Sequence, residues 1–272
     1  MWIGEPGAMR QITDGAGQFD RSPDLGVTEF RSLEGGVTTW VPRALPRRLK
    51  LSWSAMQRGD VAHLDRLARR IDGLGPIAVQ DPLSRNLLTG SQAAGLGNAM
   101  SWRVTGDITV WAFPYSPVGV QVTTMPATGY PELIWTHPYF HGVPVVPGQP
   151  YTWWTPGLIA QGAALQTPRV AWHDAARKWV STSIGSTSGP LVAEAPPGAA
   201  YALPFVSFTA TGIWQAGEAV FAAGDMGAAL LAGERPPGEG CPPYSITRYT
   251  HAATDGDGAY RDIGLELVEV TA

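Results

Sequence analysis

From Val27 to Ser54, polar and apolar positions alternate or β-branched residues cluster in three short runs. These are Val27 to Phe30, Val37 to Val41 and Leu49 to Trp53, and they predict three strands. Gly35-Gly36 predicts a tight hairpin turn between the first two. The period then changes: Val61, Leu64, Leu67, Ala68 and Ile71 recur at helical spacing behind Asp60, a capping residue type, and ahead of Gly73, a fitting stop. One helix from Asp60 to Ile71, with an apolar stripe laid on the sheet, is therefore expected. Arg58, Arg66, Arg69 and Arg70 on or near it read as a solvated face rather than an anion site. A short strand, Ile77 to Val79, follows.

Between Asp81 and Gly97 the periodicity lapses and Ser, Gly, Asn, Ala and Gln take over, which predicts an interdomain linker. Apolar runs resume at Ile108 to Phe113, Val118 to Thr123, Glu132 to Thr136, Val143 to Val146, Tyr151 to Thr155 and Arg169 to His173. They continue at Trp179 to Thr182, Ala200 to Phe208, Val220 to Ala222, Tyr244 to Arg248 and Ile263 to Val270. Strands at this spacing, separated by Pro/Gly turns, predict an antiparallel sandwich or jelly roll. The second helix candidate, Met226 to Leu231, is weakly patterned, and no fixed-period repeat is present. The expected class is mainly β in two domains. Residues 1–90 form a small β domain with one packed helix, and residues 98–272 form a β-sandwich.

Composition supports this class. At 272 residues the chain exceeds the ~250 at which single cores stop growing, and 33 Gly, 24 Pro and 11 Trp suit many short strands better than a bundle. A net charge of −4 without any long Lys/Arg run argues against a nucleic-acid partner. The single cysteine, Cys241, excludes an internal disulfide and a multi-thiolate zinc site. The N-terminus lacks a basic stretch and a long apolar run, and no stretch approaches ~20 apolar residues, so neither a signal peptide nor a membrane span is expected. A soluble protein made in the cytoplasm is the expectation. Lysine occurs only at Lys50 and Lys178 while Arg, Ala, Gly and Pro abound, a bias of GC-rich coding.

Candidate chemistry is sparse. His137 and His141 flank Pro138-Tyr139-Phe140, but Pro138 prevents helical i, i+4 geometry and no HExxH accompanies them, so they read as loop or surface histidines. Asp255 and Asp257 resemble part of a calcium loop but lack its later ligands, so a polar hairpin loop is expected. The nearest approach to Gly-x-Ser-x-Gly, Gly185 to Gly189, has Thr187 at the central position and reads as a turn. Glu132, Asp174, Glu194 and Glu218 are the carboxylates from which a glycosidase-like pair would have to come. Alternation along Tyr151 to Thr155 puts Trp153 and Trp154 on opposite faces, making Trp154 the leading exposed stacking platform. Trp135, Trp153, Trp172 and Trp179 are expected to fill the core. No residue is assigned as catalytic, cofactor-binding or metal-ligating.

Leu49 to Trp53, the helix from Asp60 to Ile71, Ile77 to Pro82 and Asn86-Leu87-Leu88 together resemble the N-terminal region of minor and distal-tail-like proteins of siphophages infecting actinobacteria. Val143 to Trp153, Val170 to Ala175 and Ala195 to Ala202 resemble the galactose-binding-like, carbohydrate-binding-module-like jelly roll appended to such proteins. The segments Pro237 to Pro242 and Tyr260 to Val270 are similar to their closing strands. The resemblance implies a docking domain followed by a jelly roll. It implies a structural, non-enzymatic virion protein at the tail tip, needing no cofactor. Its partners would be other tail proteins of the tube and baseplate or tip, and further copies in a homo-oligomeric ring, with neither nucleic acid nor membrane among them. A host cell-wall glycan-binding module is the alternative reading.

Overall fold

The computed structural model describes residues 1–23, 28–32, 34–40, 46–81, 85–112, 120–126, 129–186, 189–254 and 259–270. It is mainly β, as the hydrophobic patterning predicts, and its strands fall into two compact units.

The first unit comprises residues 1–5, 10–79 and 242–272. Its seven-stranded sheet runs in the order Arg10–Gln11, Trp2–Gly4, Ile77–Gln80, Pro243–Ala253, Tyr260–Glu269, Arg47–Gln57, Gln18–Pro23. The two closing strands were expected in the domain spanning 98–272. They belong here because Tyr260–Glu269 pairs antiparallel with Arg47–Gln57 along its length, placing Leu265 opposite Leu51 and Leu267 opposite Leu49. Ile263, Leu265 and Leu267 thus share one core with Leu49, Leu51, Trp53 and Met56, and burying these side chains stabilises by roughly 1.5–3 kcal/mol each.

The helix spans Arg58–Ala68 and buries Val61 and Leu64 in that core. Its N-cap is Gln57 rather than Asp60, which lies in the first turn, buried, accepting from Arg10 Nη2 at 3.2 Å and from Thr13 Oγ1 at 3.4 Å. Arg70, with φ +54°, takes the left-handed position expected of Gly73, and Ile71 emerges exposed. Arg66 pairs with Asp72 and Arg69 with Asp65, while Arg58 and Arg70 stand exposed, in keeping with a solvated face. The hairpin turn at Gly35-Gly36 forms as predicted, with Gly35 at φ +84° and the Gly36 N–H donating to Ser32 Oγ. It joins Thr28–Arg31 to Val37–Trp40, a separate two-stranded ribbon in which every described residue is exposed.

The second unit comprises residues 6–9 and 80–241. A six-stranded sheet, in the order Trp179–Ile184, Arg169–His173, Tyr201–Ser207, Glu132–Trp135, Trp102–Thr105, has Val143–Pro144 also paired to Tyr201–Ser207. A three-stranded sheet, Leu191–Glu194, Pro150–Trp154, Val220–Ala223, packs on it through aromatic rings. Trp153 meets Trp135 edge-on at 4.9 Å and donates to the Phe205 carbonyl, while Tyr151 meets Trp172 with ring centres 6.1 Å apart. A further three-stranded sheet contains Gly212–Gln215, Val120–Thr124 and Ile108–Ala112.

The stretch expected as a linker is part of this core, apart from residues 82–84, which lie outside the described residues. Asn86, Leu87 and Leu88 are buried, and Thr89 and Gln92 form a capping box on the helix Gly90–Ala94. The Asn86 amide donates to the Ala219 and Pro236 carbonyls and accepts from the Leu88 and Phe221 N–H groups, so its polarity serves the interior. Composition alone marked this segment as loose because its apolar residues, Leu83, Leu87, Leu88, Ala93, Ala94 and Leu96, are scattered among Ser, Gly, Asn and Gln without a strand or helix period.

Candidate functional site

The strand Arg169–His173 alternates: Val170 and Trp172 point into the sandwich, and Arg169, Ala171 and His173 occupy the other face of the sheet. The register fixes what stands beside them. His173 lies opposite Trp179 on the edge strand and opposite Tyr201 on the inner one, and Ala171 lies opposite Thr182 and Leu203. A row Trp179, His173, Tyr201 therefore crosses three strands. Trp179 is 65% exposed, with its indole Nε1 donating to Thr182 Oγ1 at 3.1 Å. It was expected in the core with Trp135, Trp153 and Trp172, which are fully buried. Trp179 differs because it opens an edge strand immediately after a turn and faces away from the sandwich.

The opposite correction applies to Trp154. Expected as the exposed platform, it is 8% exposed: Val220, Ala222, Met226 and Leu230 surround it, and the Arg235 guanidinium lies 5.1 Å from its ring centre. Its strand is central in its sheet, and the helix Gly227–Leu231 covers the face that alternation alone would leave open.

The Trp179 row is completed by a loop. His137 is buried, its Nε2 donating to the Cys241 carbonyl at 3.0 Å, while its Nδ1 accepts from the backbone N–H groups of Tyr139 and Phe140. Burial pushes its pKa down to about 4, so the imidazole is neutral and free to accept there. His137 thereby organises the turn that presents His141. Gly142 lets this loop close on the sheet, since a Cβ there would stand 2.6 Å from the Ala202 carbonyl oxygen.

His141 Nε2 lies 3.1 Å from His173 Nδ1, and His141 meets Tyr201 edge-on with ring centres 5.8 Å apart. His173 Nδ1 is also 3.2 Å from the Arg177 carbonyl, which can only accept. The His173 proton therefore sits on Nδ1, shared between that carbonyl and His141 Nε2. Burial, then the fields of His173, Arg103 and Arg177, holds the pKa of His141 below the usual histidine value. The face combines an open indole, a paired imidazole couple, the Thr182 hydroxyl and, at the rim, the half-exposed Tyr139.

The pairing formed is His141 with His173, whereas His137 and His141, the pair the sequence brought together, do not meet. No sequence signal links positions 32 residues apart on a loop and a strand. His63 contacts the Ile3 carbonyl at 2.8 Å and His251 stacks on Tyr249, both in the first unit. The four carboxylates stay dispersed: Glu132 accepts from Thr105 Oγ1, Asp174 from the Lys178 N–H, Glu218 pairs with Arg235, and Glu194 is exposed. Among the described residues no group of three or more His, Cys, Asp or Glu is placed to hold a metal ion. Asp255 and Asp257 lie outside the described residues, as do Thr187 and Ser188 of the Gly185 to Gly189 turn. A cleft of about 570 Å³ in the second unit is walled mainly by Gly and Ala. Its polar side chains satisfy one another or nearby backbone: Gln161 bonds to Gly157 and Gln215, and Arg235 to Glu218 and the Leu230 carbonyl.

No family model matches the chain, and no curated protein matches it in sequence. Among solved structures it is similar to the enzymatically active domain of tailspike protein 4 of bacteriophage CBA120, at 16% identity and a TM-score of 0.33. The likeness covers 51% of this chain and 21% of that one, so the chain spans about a fifth of the length of the structure it matches. The expectation of a non-enzymatic protein is corrected here: the similar structure is an enzymatically active domain, and the exclusion of enzyme activity is withdrawn.

Proposed function

We propose that this chain is a phage tail component whose second unit carries a saccharide-binding face. One observation carries the reading: Trp179 stands open on the outer side of the six-stranded sheet, in register with His173 and Tyr201 and bonded to Thr182. A flat indole offers a surface for the CH face of a sugar ring, and imidazoles and hydroxyls beside it exchange hydrogen bonds with sugar hydroxyls. The tail assignment rests on the ordered resemblance of the sequence segments to siphophage tail proteins. In this reading the chain resides in the virion. The first unit is the docking unit in this reading, supported by its exposed ribbon, where Phe30 and Trp40 project from the same face. Copies arranged in a closed ring would repeat that contact around the tail axis.

Titration of the purified chain with soluble cell-wall polysaccharide from a GC-rich actinobacterial host tests the binding face. Saturable binding that Trp179→Ala abolishes is expected, and binding unchanged in that variant overturns the assignment. For docking, the double variant Phe30→Ser/Trp40→Ser is expected to fold yet be missing from purified tails, and normal incorporation refutes a docking role for the ribbon.

A further inference from the structure

Building on the saccharide-binding reading, we infer that the ligand of this face is an acidic glycan, one whose sugars carry carboxylate or phosphate groups. The face is basic in a chain whose net charge is −4. Arg103, on the strand Trp102–Thr105, and Arg177, in the turn after His173, both act on His141 through space, as His173 does. Both guanidinium groups belong to exposed residues, and among the described residues neither pairs with a carboxylate. This contrasts with Arg66, Arg69, Arg85, Arg235 and Arg248, each of which has an acidic partner.

Two carboxylates offset part of this charge and are held in place by hydrogen bonds from neutral groups. Asp174 accepts from the Lys178 N–H at 2.8 Å, closing the turn that carries Arg177, and Glu132 accepts from Thr105 Oγ1 at 3.0 Å. Lys178, also exposed, adds a second cation to that turn. Arg177 itself holds φ +66°, a conformation that L residues rarely adopt, so the turn maintains a costly geometry with a cationic side chain in place of glycine. Bidentate guanidinium donors suit planar carboxylates and phosphates, and Trp179 supplies the stacking surface that a simple anion would not need. A neutral glycan would leave two arginines unmatched. A divalent cation held by the two imidazoles would have to settle among three positive side chains.

The test uses the full chain and three polymers: polygalacturonate, phosphomannan and dextran, titrated calorimetrically. Expected is binding of one or both acidic polymers at least about tenfold tighter than dextran. Arg103→Gln/Arg177→Gln should remove that preference while leaving dextran binding and the thermal transition unchanged. Whichever of polygalacturonate and phosphomannan binds tighter identifies the acidic group. Equal affinity for dextran and both acidic polymers overturns the inference and leaves the saccharide reading intact. Tight acidic-polymer binding that Trp179→Ala does not weaken overturns the saccharide reading while the anion preference stands. Absence of binding to all three overturns both. Should the double variant fail to fold, the single Arg103→Gln and Arg177→Gln variants carry the same comparison.

Discussion

The surroundings of Trp154 and of Trp179 differ in a way that alternation along a strand does not reveal. Both tryptophans sit on strands of the second unit. Trp154 lies on a central strand, and a later segment, the helix Gly227–Leu231 followed by Arg235, closes over it. Trp179 lies on an edge strand, and its ring remains open. Alternation decides only which of two faces a side chain takes. Whether that face is interior or surface depends on what other parts of the chain lay across it. A strand pattern therefore identifies pairs of candidate platforms without choosing between them.

The largest expected effect separates the two tryptophans directly. Trp154→Ala should cost about 3–5 kcal/mol of unfolding free energy in denaturant titration, the usual range for deleting a buried aromatic. A loss below about 1 kcal/mol would show that the cover over Trp154 is not packed as described.

Acid sharpens the comparison at the base of the open face. His137 has a folded pKa of about 4 against an ordinary 6.5, so the unfolded chain binds its proton first as pH falls. Stability contributed by the neutral imidazole is complete above about 6.5 and is lost progressively down to about 4, by about 3 kcal/mol in all. The Tyr139 and Phe140 N–H groups lose their acceptor only when the folded chain itself takes up the proton, near pH 4 and below. Denaturation midpoints should fall between pH 6.5 and 4, and His137→Gln should flatten that slope. An unaltered slope in the variant would assign the acid sensitivity elsewhere.

Asn86 tests the covered side again. Asn86→Ala strands two carbonyls and two N–H groups, including the Pro236 carbonyl beside Arg235, and should cost about 2 kcal/mol. Limited proteolysis of the wild type should spare residues 85–97, and rapid cutting there would restore the linker reading. The smallest stability effect belongs to Trp179→Ala, within about 0.5 kcal/mol of wild type by the same titration. A larger loss would mean that the open indole is in fact part of the packing.

The comparison also shows how far the sequence could be read. Leu49 to Trp53, the helical stripe at Val61 and Leu64, and the Gly35-Gly36 turn were legible because each is local, with a period or a turn residue fixing the backbone. The strands of the second half were legible for the same reason. Asn86-Leu87-Leu88 was misread because burial there comes from hydrogen bonds to residues more than 130 positions away.

By itself the sequence determined the mainly β class, the positions of most strands, the helix near Asp60 to Ile71 and the impossibility of an internal disulfide, since these follow from periodicity, turn chemistry and one cysteine. Tertiary structure alone decided that the closing strands return to the N-terminal sheet, that Trp154 is covered and Trp179 open, and that His141 meets His173 rather than His137. Each of these depends on pairing or coverage by distant segments, and distant pairing leaves no period in the chain.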